Sequence, residues 1–249
     1  PTSTKLTNHS HFKQEYNPRK PETMDKDIPL YDLATQDYHV LEEMISKNPS
    51  LITKKDSNDR FLIHWGALRG RELLVEELLK KAPEQLEATD DTNATPLVLA
   101  TLGGHLGTVR LLLAKGASID HRNWQGHSSL QYACSKGHTE VAKFLVEQGA
   151  NVNVVDGRND TPLHRVASQG RLEILKFLLE HGARADIVNA EGNTALHLAC
   201  EDEQNSCALL LVEHGASGTV QNKEEKTPLD LAKPGLRRNL KTKLGIGDE

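Results

Sequence analysis

Apolar residues in this chain fall into paired short bursts, not long runs. The first burst of each pair is built on a leucine with a small residue three positions later, as in Leu196 and Ala199. A polar turn follows, then a second burst such as Ile174-Leu175-Lys176-Phe177-Leu178-Leu179. Each burst fits two to three turns of helix with one apolar stripe. The leading residues are Leu30, Ile63, Leu97, Leu130, Leu163, Leu196 and Leu229, in steps of 33, 34, 33, 33, 33 and 33. A fixed period of this kind predicts one elongated array, in which each helix pair buries its stripe against its neighbours.

The residues around each marker explain why a helix starts there. Thr95, Ser128, Thr161, Thr194 and Thr227 stand at the N-cap, where a hydroxyl accepts from an unpaired first-turn N–H. Pro96, Pro162 and Pro228 follow at the first helical position, where a missing N–H is harmless. Ala100, Ala133, Ala199 and Ala232 let the neighbouring helix approach, with Gly66 and Val166 as variants. His64, His164 and His197 are expected to bond across the turn between repeats. A Thr-Pro-Leu-His core at period 33 is the signature of the ankyrin repeat. The expected fold is therefore an all-α solenoid of seven repeats with β-turn fingertips and a concave binding groove.

Departures from the period are informative. Ile28 and Phe61 hold the cap positions of repeats one and two, and the extra residue of the 34 step belongs in the Lys80–Gln85 connection. In repeat one the second helix is expected to use Val40, Leu41, Met44 and Ile45. Gly116-Ala117, Gly149-Ala150 and Gly182-Ala183 stop second helices through a left-handed glycine. Gly104, Gly137 and Gly170 turn between paired helices, but repeat six has Glu203 there, at a strain of about 1 kcal/mol. Pro234-Gly235 shortens repeat seven, and Arg237–Lys241 makes a basic closing helix. Asp56, Asp90, Asn123, Asp156, Asn189 and Asn222 precede the markers by seven residues and start the turns that form the fingertips. Residues 1–27 read as a disordered polar arm, 28–244 as the repeat domain and 245–249 as a tail.

Composition adjusts this picture in a few places. Aromatics are only 4% of the 249 residues, which suits layers of Leu, Ala and Val. A net charge of −5 is too mild to suggest a nucleic-acid partner. Cys134 and Cys200 hold one position two repeats apart, roughly 16–20 Å, too far for a disulfide. Cys207 has no obvious partner, so reduced thiols are expected. With no membrane-length apolar run and no leader ahead of the array, the expected location is cytosol or nucleus, and the expected state a monomer.

No nucleophile elbow, phosphate loop or zinc spacing occurs, so no catalytic residue, metal or cofactor is expected. Residues that the repeat does not require are the binding candidates. Trp124 takes a fingertip position where a small polar residue is expected, and an exposed Trp is a common anchor. Trp65, Tyr132 and Arg165 stand two residues after their markers, and Arg69, Lys136 and Gln169 six after. Arg60, Asp59, Asp91, Arg158 and Asp160 decorate the fingertips. A groove of mixed sign suits a folded protein partner with the complementary pattern.

His64-Trp65, Tyr132-Ala133, Ser135-Lys136, Glu191–Cys200 and above all Asn222–Leu229, with the short seventh repeat, resemble the gankyrin family of ankyrin proteins associated with the proteasome regulatory particle. The resemblance spans 28–244. It implies an assembly chaperone that holds the C-terminal domain of a proteasomal ATPase in its groove. By the same resemblance Arg60 and Lys136 would pair with acidic groups of the ATPase, Trp65 would line the groove, and Asp91 would meet basic residues. A reading independent of the resemblance is a general ankyrin adaptor, regulating a kinase or transcription factor. Two positions depart from the family. Leu198-Ala199-Cys200-Glu201-Asp202 ends in Asp where a motif credited with retinoblastoma-protein binding has Glu, and Ala94 replaces a groove Trp.

Overall fold

The computed structural model describes residues 29–246, so the arm expected over 1–27, the cap expected at Ile28 and the last three residues lie outside it. The first helix is capped instead by Pro29. Described residues form seven helix pairs in chain order. These are α1 (Leu30–Leu33) with α2 (Tyr38–Lys47), α3 (Leu62–Leu68) with α4 (Glu72–Lys81), and α5 (Pro96–Leu102) with α6 (Leu106–Ala114). Next come α7 (Ser129–Lys136) with α8 (Thr139–Glu147), α9 (Pro162–Ser168) with α10 (Leu172–Glu180), and α11 (Ala195–Glu201) with α12 (Asn205–Glu213). The series closes with α13 (Pro228–Leu231) and α14 (Pro234–Leu244). First helices from α1 to α13 pack in one row, and the second helices in another, with the buried core between the rows. No strand occurs among the described residues, only an isolated bridge between Arg122 and Ser128.

Caps form at the expected places. The hydroxyls of Thr95, Ser128, Thr161, Thr194 and Thr227 each accept the N–H three residues on. The small residue after each marker does more than make room. The carbonyls of Gly66, Ala100, Ala133, Val166 and Ala199 accept the N–H of Arg71, His105, His138, Arg171 and Gln204, the caps of the second helices, at 2.8–3.0 Å. That bond folds the chain back through one left-handed residue. It is glycine in four repeats, such as Gly137 at φ 74°, and Glu203 at φ 59° in the fifth.

The periodic histidines fasten repeat to repeat. In His164, Nδ1 accepts the Thr161 N–H at 3.2 Å and Nε2–H donates to the Asn193 carbonyl at 3.0 Å. His197 joins Thr194 and Lys226, and His64 joins Phe61 and Ala88, in the same way. Gln131 performs both bonds in repeat four, accepting from Ser128 N–H and donating to the Asp160 carbonyl.

The ends of the array differ from its middle. Repeats one and two close with 3-10 turns, Pro49–Ile52 and Pro83–Glu87, and the longer step falls in the second. Gln85 ties the turns together through the Ile52 carbonyl at 2.8 Å. Leu41 and Ile45 are buried in α2 as expected, whereas Val40 is exposed. Lys241 and Lys243 stand in the last turn of α14, and Gly245 ends that helix at φ 68°. Cys134, Cys200 and Cys207 are buried free thiols.

Candidate functional site

The fingertips rest on a double use of one side chain. In every finger from Asp56 to Asn222, one side-chain oxygen accepts the N–H groups two and four residues on. Asn123, for example, takes Gln125 at 3.0 Å and His127 at 2.9 Å. Neighbouring fingers are joined by backbone bonds, Asp91 N–H to Asn58, Trp124 to Thr92, Gly157 to Gln125, Ala190 to Arg158 and Lys223 to Glu191, at 2.8–3.0 Å.

The second atom of each turn side chain also needs a partner, and two solutions occur. Where the residue two after the marker is polar, it reaches back nine residues to its own finger. Trp65 Nε1–H donates to Asp56 at 2.7 Å, Asn123 Nδ2–H donates to the Tyr132 hydroxyl at 2.9 Å, and Arg165 pairs with Asp156. Where that residue is Leu99, Leu198 or Leu231, the partner comes from the preceding repeat, just before its cap. Arg60 binds Asp90, Asn189 binds Asp160 and Asn222 binds Asn193.

This arrangement corrects several expectations. Arg60 is 1% exposed and Trp65 4%, so neither presents a surface to a partner. Arg60 is spent on Asp90, with Nε at 3.0 Å and Nη2 at 2.7 Å, and lies 4.7 Å from the Trp65 ring centre. Tyr132 and Arg165 are half-buried in their fingers, and Arg165 also donates to His127 Nε2 at 2.9 Å. Arg69 is half-buried too, lying 4.0 Å over the Tyr31 ring. These residues stand outside the repeat consensus because they complete the finger turns or pack the first helices.

Three candidates do stand at the surface: Trp124 at 76% exposure, Asp91 and Lys136. Lys136 has no ion pair among the described residues. Beside them lies a feature the sequence reading missed, an apolar cluster separate from the main core. It joins buried Ala94, Val98 and Leu99 to half-buried Leu68, Leu102 and Tyr132. All but Ala94 come from the first helices α3, α5 and α7 and none from a second helix, and Leu68, Leu102 and Tyr132 keep part of their surface exposed. A signal was present: Leu68 and Leu102 stand five after their markers, where repeats four and five have Ser135 and Ser168.

Titratable groups here are tuned for structure. Burial would raise the Asp90 carboxyl, but bonds from Thr92, Ala94 and Arg60 hold it below the usual carboxylate range. Burial would likewise raise the Asp156 carboxyl, but His127 and Arg165 hold it below the usual carboxylate range. Burial pushes His64 down to about 4 and lowers His164 and His197, keeping these rings neutral. Burial raises Cys200 to about 12 and Cys207 to about 11, so neither is a ready thiolate. Among the described residues no group of three His, Cys, Asp or Glu side chains gathers as a metal set, and no helix is long and apolar enough to cross a membrane.

A family model of ankyrin repeats in three copies matches residues 63–156 and 148–222. The 26S proteasome non-ATPase regulatory subunit 10 of Dictyostelium discoideum is 36% identical over 63 residues, 25% of this chain and 27% of that protein. Palmitoyltransferase Hip14 of Drosophila melanogaster is 37% identical over 79 residues, 32% of this chain but 12% of the enzyme. Ankyrin repeat protein nuc-2 of Neurospora crassa is 33% identical over 95 residues, 38% of this chain and 9% of that protein. The chain thus spans about a tenth of the length of these last two relatives.

Proposed function

The chain belongs to the ankyrin-repeat family, whose arrays are protein-binding scaffolds, and from that premise we propose that it is an assembly chaperone of the proteasome regulatory-particle base. In this reading it holds the C-terminal domain of a proteasomal ATPase on the first-helix face of repeats two to four and acts in cytosol and nucleus. The observation that carries the reading is the apolar cluster whose half-buried members are Leu68, Leu102 and Tyr132, with exposed Lys136 on the same row of helices. Apolar side chains that the fold leaves half-covered suit the centre of an interface, and the adjacent cation favours an acidic rim on the partner. The likeness to the Dictyostelium proteasome subunit supports the choice of client.

Isolated C-terminal domains of each proteasomal ATPase, mixed one at a time with this chain, test the reading by gel filtration. One domain alone co-elutes if it holds; if none does, the chaperone reading fails. The second reading, a general ankyrin adaptor for a kinase or transcription factor, is favoured by the diversity of the relatives, a palmitoyltransferase and nuc-2 among them.

A further inference from the structure

The first-helix face changes sign along the array. Six after the marker stand Arg69 in repeat two, half-buried over the Tyr31 ring, and exposed Lys136 in repeat four, neither paired with a carboxylate among the described residues. Five after the marker, the column of Leu68 and Leu102, repeat six places exposed Glu201, also without an ion pair among the described residues. Between the two ends lie Ser135, Ser168 and Gln169, which carry no charge. The repeat needs none of these charges, because other repeats fill the same columns with Leu, Ser, Gly or Gln.

Spacing selects the shape of the occupant. Stacked helices lie roughly 8–10 Å apart. An α-helix advances ~10.5 Å in seven residues and returns to the same face. An apolar stripe at i, i+7 and i+14 therefore meets half-buried Leu68, Leu102 and Tyr132 in turn, one repeat per two turns. An extended strand advances ~10 Å in three residues and presents the opposite face. Accordingly we propose that this face takes one amphipathic helix of the protein partner, lying along the array with its acidic end over Arg69 and Lys136 and its basic end over Glu201. The proposal rests on the scaffold reading and adds the partner's secondary structure, its charge segregation and its direction. An acidic N-terminal half and a basic C-terminal half also suit the helix's own dipole. The span from repeat two to repeat six is four layers, roughly 32–40 Å, or about 21–27 helical residues.

The test uses two synthetic helical peptides of identical composition and apolar stripe. One has Glu confined to its N-terminal half and Lys to its C-terminal half; the other has them interspersed. Fluorescence anisotropy with the full chain should show the segregated peptide binding roughly tenfold tighter. A photo-crosslinker at its acidic end should attach to α3 or α7, and at its basic end to α11. Lys136→Glu with Glu201→Lys should reverse those positions. Equal affinities, no binding of either peptide, or crosslinks that ignore the charge exchange would overturn the proposal. A folded client domain that still binds, loses affinity with Lys136→Glu and ignores Glu201→Lys would overturn the charge-directed helix while leaving the scaffold reading intact.

Discussion

The guanidinium of Arg60 is sealed between the Trp65 ring, 4.7 Å away, and the Asp90 carboxylate, 2.7 Å from Nη2. Both charged side chains are buried, and the pair ties the fingers of repeats two and three. Removing one partner leaves an uncompensated buried charge. Arg60→Ala should lower stability by about 3–5 kcal/mol, read by urea unfolding. A surface-like loss below about 0.5 kcal/mol would show that the pair does not hold the fingers together.

The neutral histidines make stability depend on pH. Burial lowers all three, His64 from 6.5 to about 4, so the unfolded chain binds protons that the folded chain refuses. Stability is then full above about pH 6.5 and falls as pH drops toward 4, by roughly 3 kcal/mol for His64 alone. Replacing His64, His164 and His197 by Gln, the residue that does their work at position 131, should flatten this slope while the array still folds. Unchanged pH dependence in the triple variant would contradict it.

Thr108 occupies the column of Leu74, Val141 and Ile174, and its buried hydroxyl finds no partner among the described residues. Thr108→Val keeps the shape and removes the unsatisfied group. It should raise stability by about 1 kcal/mol in thermal unfolding.

Glu203 holds a left-handed turn that glycine holds in the equivalent repeats. Its ion pair with Lys233 is well exposed and worth little. Glu203→Gly should therefore stabilise the chain by about 1 kcal/mol, and a loss of stability would mean the ion pair outweighs the strain.

Much of the fold was legible because its signals are local. Cap threonines, the turn Asp and Asn residues and the left-handed glycines act within one repeat, and the 33-residue period supplies the stacking. Trp65, Tyr132 and Arg165 misled because their partners lie nine residues back, on the far atom of a turn side chain already committed elsewhere. Arg60 misled because its partner belongs to the next repeat, drawn there by the leucine at 99. Trp124 and Lys136 were legible because each is a large side chain that the repeat does not require, at a finger or helix end where it reaches the surface. Leu68 and Leu102 escaped notice because leucine in a leucine-rich repeat draws no attention, although their column holds serine in repeats four and five.

Calorimetric titration measures whether the first-helix face of repeats two to four binds the client. The chain and its Lys136→Glu, Trp124→Ala double variant are each titrated with the proteasomal ATPase C-terminal domain that the chain retains. Both positions are exposed, so the melting temperature should not change. The variant should bind at least about tenfold more weakly. Undiminished affinity in the variant, or no ATPase domain bound by the chain itself, would contradict it.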